Sequence, residues 1–152
     1  MGAGRTPLSL SRIGDWVRAE TIANELSNQP SPHWNPNRAI ELLKVASTIE
    51  LASPTNFTII MCPAYLRGEA YLMLHDGNAA AAEFQKFIDH RGVVVNFPWG
   101  ALARLGLARA CALQGDTAKA RTAYQDFLTL WKDADPDVPI LKEAKAEYAM
   151  LR

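Results

Sequence analysis

The chain lacks the features that usually mark enzymes, metal sites and membrane proteins. It has two cysteines without CxxC spacing and three scattered histidines, so neither a metal site nor a disulfide framework is indicated. The Gly-x-Ser-x-Gly elbow, the P-loop and the HExxH motif do not occur in it. No stretch approaches the roughly 20 apolar residues that a membrane helix requires. We therefore expect no catalytic residue, cofactor, metal ion or membrane insertion.

The chain also lacks an excess of positive or negative charge. Lys plus Arg and Asp plus Glu are both 16, so the net charge is zero. A neutral chain has no long-range field to attract nucleic acid, which is therefore disfavoured as a partner. With 152 residues, 49% of them hydrophobic, the chain suits one folded domain with a continuous core.

One pattern of small and aromatic residues occurs twice, 40 residues apart. The first copy is marked by Gly68, Ala70, Tyr71, Ala80, Phe84 and Phe87, and the second by Ala108, Ala110, Cys111, Gly115, Asp116, Ala120, Tyr124 and Phe127. A tetratricopeptide unit is about 34 residues of helix-turn-helix, with small residues where the helices touch and an aromatic that fills the gap. The loop from Arg91 to Pro98 accommodates the additional residues. The repeat predicts an all-α solenoid of tetratricopeptide type, with about seven helices and a C-terminal capping helix.

Caps, prolines and apolar periodicity place the individual helices. The first expected helix starts at Asp15 and ends near Leu26. The others span, in order, Asn37 to about Ala46, Ala64 to Leu74, Asn78 to about His90, Pro98 to Leu113, Asp116 to about Trp131, and Val138 to Leu151. Residues 1–35 form an incomplete half-repeat and a loop in this scheme, and residues 36–152 form the repeat domain. Its full repeats cover about 62–92 and 98–132, and its capping helix covers 137–151.

The beginning of this array is irregular. Two helices of the second-in-hairpin type follow each other, which indicates an internal segment missing relative to a regular array, or a trimmed N-terminus. Apolar helix faces would then lack neighbours, so a homodimer through the N-terminal helices, or docking of a partner domain, is expected.

From about Ala39 to Arg152 the chain resembles the C-terminal repeat region of many bacterial, especially acidobacterial, eukaryotic-like serine/threonine kinases and winged-helix regulators. The residues that carry this resemblance are Ser53-Pro54-Thr55, Pro63 to Gly68, Ala81 to Lys86, Asp89 to Gly92, Gly115 to Ala120 and, as the strongest run, Ala123 to Asp137. The resemblance implies a sensing or docking role beside a catalytic or DNA-binding domain. The kinase motifs themselves are absent, because in His90-Arg91-Gly92 a glycine stands where the catalytic aspartate would be.

In the tetratricopeptide pattern the first helix of each hairpin faces a concave groove. The candidate partner-binding residues are therefore Tyr65, Glu69, Met73, Leu105 and Arg109. The alternative is packing against the next hairpin, which is favoured for Leu72, Leu102 and Leu105 and evenly balanced for Tyr65, Glu69 and Arg109.

Other groups have simpler interpretations. The recurring aromatics are expected in the core: Phe84, Phe87, Tyr124, Phe127 and Trp131. The apolar run from Val93 to Trp99 is expected to fold back over the hairpin junction, although a docking edge is the alternative. Solvated helix faces account for the carboxylates Glu41, Glu50, Glu69, Glu83, Asp89 and Asp126.

The sequence therefore favours a non-enzymatic protein-interaction module that binds a peptide or helix of a partner, such as a kinase or regulator domain, in a signalling system. The alternatives are a structural or oligomerisation element, or a remnant of a larger kinase or transcriptional regulator that carries such repeats. A cytoplasmic location is expected, or an extracytoplasmic one if the repeats derive from a membrane-anchored kinase.

Overall fold

The computed structural model describes residues 35–48, 50–51, 61–94 and 98–151, and within these ranges every regular element is a helix. The helices are α1 (Pro36–Leu43), followed by a 3₁₀ turn (Lys44–Thr48), α2 (Cys62–Met73), α3 (Gly77–Asp89), α4 (Arg91–Val94), α5 (Trp99–Leu113), α6 (Thr117–Leu130) and α7 (Pro139–Met150). The predicted all-α class is confirmed for these ranges. The expected helix that ends near Leu26 lies outside the described residues.

Proline and asparagine start several of these helices. The Asn35 side chain accepts a hydrogen bond from the Arg38 backbone amide at 3.1 Å, and Pro36 occupies the first turn of α1. Pro63 and Pro139 lie in the first turns of α2 and α7. A proline is tolerated there because its missing amide would have no partner within the helix.

The turn between α2 and α3 is closed by backbone hydrogen bonds and by an aspartate cap. The Asp76 amide donates to the Tyr71 carbonyl at 2.9 Å, and the His75 amide donates to the Leu72 carbonyl at 3.0 Å. His75 has a positive φ of 57°. The Asp76 side chain then accepts from the Ala79 amide at 3.0 Å and caps α3. This is a Schellman motif followed directly by an N-cap.

The turn between α5 and α6 repeats this geometry. The Asp116 amide donates to the Cys111 carbonyl, and the Gly115 amide donates to the Ala112 carbonyl, both at 3.0 Å. Gly115 has a φ of 76°, and Asp116 caps α6 through the Lys119 amide at 3.1 Å. Each of these residues follows its counterpart by 40 positions. The two hairpins are therefore equivalent in their turns as well as in their sequence pattern.

The helices pack in a row along the chain. Helix α3 contacts α2 and α5, while α5 also contacts α2 and α6. At the ends of the row, α1 packs on α2, and α7 packs on α6. Helix α3 therefore joins the two hairpins by packing against both α2 and α5, and α2 and α5 also touch each other directly.

An aromatic side chain occupies the junction between the hairpins. Phe84 is fully buried, and the bare Cα atoms of Gly68 and Gly106 face its ring from α2 and α5. Tyr124 holds the same position in the second hairpin, where it packs in one cluster with Ala108 and α7. The predicted core role of these aromatics is confirmed.

Two local features differ from the sequence prediction. Arg91–Val94 forms a short helix where only a crossing segment was expected, because His90 leaves the helical region (φ −112°, ψ 42°) and the chain starts a new turn. Helix α1 gives way to a 3₁₀ turn at Lys44 instead of continuing as an α-helix. Trp99, the last residue of the apolar run that begins at Val93, packs against the core as predicted.

Candidate functional site

The first helices of the two hairpins share one face, which we call the first-helix face. Residues spaced by four lie on the same side of a helix. The face comprises Tyr65, Glu69 and Met73 on α2 with Leu105, Arg109 and Leu113 on α5. Because α2 and α5 are in contact, the two rows are neighbours.

Tyr65 belongs partly to the core and partly to this face. Its ring centroid lies 4.6 Å from that of Trp99 and 5.6 Å from that of Phe84. Its hydroxyl group interacts with the Glu69 carboxylate. Burial raises the pKa of Tyr65 well above its usual range, and the negative charge of Glu69 raises it further. The residue therefore stays protonated and offers a hydroxyl group at the edge of the face.

Glu69 is a half-buried carboxylate whose charge is incompletely compensated. Burial raises the pKa of Glu69, while the Tyr65 hydroxyl and the charge of Arg109 lower it in part. In the part of the chain that the structure describes, no lysine, arginine or histidine forms an ion pair with it. This carboxylate retains the capacity to bind a cation.

Arg109 of α5 forms ion pairs with carboxylates of α7. Its Nε and one terminal nitrogen donate to the two Glu147 oxygens at 2.9 and 2.8 Å, and Glu143 lies at 3.5 Å. The Tyr124 hydroxyl donates to Glu147 at 2.8 Å. Burial lowers the pKa of Arg109, but the bond to Glu147 and the nearby carboxylates outweigh it, so the net pKa is raised. A fork-to-fork pair of this kind fixes α7 against α5.

The acidic partner of Arg109 was not singled out from the sequence. The available signal was the spacing of Glu143 and Glu147, which puts two carboxylates on one side of the C-terminal helix. Sequence alone did not indicate that this side turns towards Arg109.

Met73 and Leu113 are the exposed apolar residues of the first-helix face. They occupy equivalent positions at the ends of α2 and α5 and are 57% and 45% exposed. Leu105, in contrast, is only 1% exposed and packs with Tyr124 and Phe127. Its inclusion among partner-binding residues is therefore corrected, because a side chain in the core cannot contact a ligand.

Arg67 of α2 is at the centre of a buried ion network that the sequence did not reveal. The residue is 1% exposed, and its guanidinium donates to both Glu83 oxygens at 2.9 and 2.8 Å. It also donates to both Glu50 oxygens at 2.8 Å and to the Leu43 carbonyl at 3.0 Å. Lys86 completes the network with bonds of 2.8 Å to Glu50 and Glu83.

This network corrects the view that Glu50 and Glu83 lie on solvated faces. Glu50 is 4% exposed, and the cations around Glu83 lower the pKa of that carboxyl although burial alone would raise it. Two cations and two anions balance, and every guanidinium nitrogen of Arg67 has an acceptor. Such a closed arrangement ties Leu43 and Glu50 to the first hairpin and leaves no charge for a ligand.

A concavity of about 360 Å³ lies between α3, α5 and α6. Its lining is mixed: Gln85, Ile88, Arg104, Leu107, Cys111, Ala118, Lys119, Thr122, Ala123 and Asp126. Lys119 is already paired with Asp116 at 2.9 Å, and Arg104 donates to the Gly100 carbonyl at 2.6 Å. Burial raises the pKa of the Cys111 thiol, which lowers its thiolate fraction. These side chains therefore do not form a binding or catalytic site of one chemical type.

The described ranges contain no group of three His, Cys, Asp or Glu side chains that could hold a metal ion. In the same ranges no helix is both long and apolar enough to cross a bilayer. Of the N-terminal helices through which a homodimer is expected, the first lies outside the described residues and α1 packs on α2, so the homodimer stays a prediction. No protein-family model matches the chain, and no curated protein matches it in sequence.

Proposed function

We propose that this protein is a non-enzymatic interaction module of the tetratricopeptide type, whose hairpins stack as a solenoid and bind a peptide or helix of a partner. The ligand lies on the first-helix face and contacts α2 and α5 together. Signalling systems are the setting that the sequence resemblance suggests.

The observation that carries this proposal is the exposure of Met73 and Leu113. They hold equivalent positions in two equivalent hairpins, so the face repeats an apolar contact along its length. Glu69 and Arg109 precede them by one helical turn and add a charged row beside the apolar one. Regular apolar anchors next to fixed polar groups are typical of helix-in-groove and peptide recognition.

The structure also determines which variants are informative. Arg109 is a poor test residue, because Arg109→Glu would place a carboxylate against Glu147 and release α7. Tyr65→Ala would remove a ring from the aromatic core. Met73→Ser and Leu113→Ser remove the apolar side chains at the exposed ends of the first helices without adding charge. Leu130→Ser is the matched control, since Leu130 is 56% exposed but belongs to α6.

The experiment selects a displayed library of random dodecapeptides on the wild-type chain and measures the affinities of the selected peptides by fluorescence polarisation. We expect Met73→Ser and Leu113→Ser to weaken binding by about tenfold or more, and Leu130→Ser to change it by less than about twofold. Failure to select any peptide, or equal affinity for Met73→Ser and the wild type, would contradict the proposal.

A further inference from the structure

Among the described residues, the first-helix face and the α7 carboxylates that contact it together carry more negative than positive charge. The carboxylates are Glu69 on α2 and Glu143 and Glu147 on α7, and the cation among them is Arg109 on α5. Arg109 already donates to both Glu147 oxygens. The group left to interact with a ligand is therefore the Glu69 carboxylate.

The surroundings of Glu69 fit a cation carried on an aliphatic stem. The carboxylate is half-buried beside the Tyr65 hydroxyl, so a charged hydrogen bond formed there is less screened by water than one at the open surface. Met73 lies one turn further along α2 and exposes a flexible apolar side chain. Arginine and lysine combine a methylene stem with a cationic head in the same order.

Resting on the proposed function, we infer that the first-helix face selects partner segments that contain an arginine or lysine, whose cationic head pairs with Glu69 while its stem lies on Met73. An acidic side chain would instead have to displace Glu147 from Arg109 and would meet the repulsion of three carboxylates. Charge complementarity therefore makes a basic peptide the ligand of this face.

The test uses the peptides selected on the wild-type chain. We expect them to be enriched in arginine and lysine relative to the unselected library. Replacing the key arginine by neutral citrulline should weaken binding about tenfold or more, and Glu69→Gln should weaken binding of the arginine peptide by a similar factor. The two changes together should cost no more than either alone, because each removes the same pair.

Asp126→Asn is the matched control, since it removes an equal charge from an exposed position on α6. We expect it to change affinity by less than about twofold. Circular dichroism of Glu69→Gln establishes that the variant is folded. Selected peptides that are acidic or uncharged, additive losses in the double change, or an equal loss with Asp126→Asn would overturn the inference. If such acidic or uncharged peptides still lost affinity with Met73→Ser, the proposed function would stand, so the two failures are distinguishable.

Discussion

The bare Cα of Gly106 on α5 faces the ring of Phe84 on α3 so closely that an added methyl group would lie 2.5 Å from the Cζ atom. Gly68 on α2 faces the same ring, where an added methyl group would lie 2.7 Å from Cζ. The ring therefore fills the space between the first helices of both hairpins. Close approach of helices at this point depends on the absence of a side chain on each glycine.

Gly106→Ala should destabilise the fold. The new methyl group overlaps a ring that is fully buried and cannot swing into solvent, so we expect a loss of about 1–3 kcal/mol in the free energy of unfolding. Urea denaturation measures this loss. Gly92→Ala is the control, because nothing lies within 4 Å of its added methyl group, and it should be neutral or slightly stabilising.

The same clash can be tested by shrinking the ring. In a Phe84→Leu background the Cζ atom is gone, so Gly106→Ala should cost clearly less than it does in the wild type. An unchanged cost would mean that the ring is not what limits this position.

His75→Gly should stabilise the protein. His75 has a φ of 57°, a left-handed conformation that costs an L-residue about 1 kcal/mol more than glycine. The equivalent turn already has a glycine there, and Gly115→Ala should be destabilising by a similar amount. Thermal unfolding of both variants checks the pair. If His75→Gly lowered the melting temperature, contacts of the imidazole would outweigh the backbone cost.

Arg67→Met should be among the most damaging single changes. It leaves the buried Glu50 carboxylate with Lys86 as its remaining partner, and losses of about 3–5 kcal/mol follow when one side of a buried ion pair is removed. Chemical denaturation measures the effect. The control is Arg38→Met, whose pair with Glu41 is exposed and should be worth less than about 1 kcal/mol. Adding Glu50→Gln to Arg67→Met should recover part of the loss, and a further loss would contradict the network.

Glu69→Gln should make the fold more stable at pH 7. Because burial raises the pKa of Glu69, the folded state prefers the protonated form, and that preference adds stability only below the ordinary pKa. The contribution is lost as pH rises through the raised pKa, so the charged group is a cost at neutral pH. Unfolding measured at pH 7 and near pH 4 should show the gain shrinking in acid. A Glu69→Gln variant less stable than the wild type at pH 7 would show that the charge is needed for folding.

Local signals predicted the helices well. Asp76 and Asp116 cap their helices through amides three residues later, and such caps are visible in the sequence as an aspartate before an alanine-rich stretch. The buried aromatic positions could also be predicted, because Phe84 and Tyr124 occupy the same position in the two copies of the sequence pattern. These features depend on residues close together in the chain.

The ion network and the composition of the face could not be predicted in the same way. Arg67 pairs with Glu50, which lies 17 positions earlier in the chain, and no local sequence pattern indicates that both charges are buried together. Leu105 and Met73 both belong to the predicted groove row, yet one is in the core and the other in solvent, since the packing of α6 and α7 covers only the former. Contacts between residues that are far apart in the sequence are determined by tertiary packing, which local sequence patterns do not show.

The Arg67 network also has a consequence for how the molecule comes apart. Its guanidinium is satisfied only when the stretch around Leu43 and Glu50 is seated on the first hairpin. Detaching that stretch would remove Glu50 and leave Glu83 to balance both Arg67 and Lys86, so local fraying there is penalised and the two regions open together as one cooperative unit.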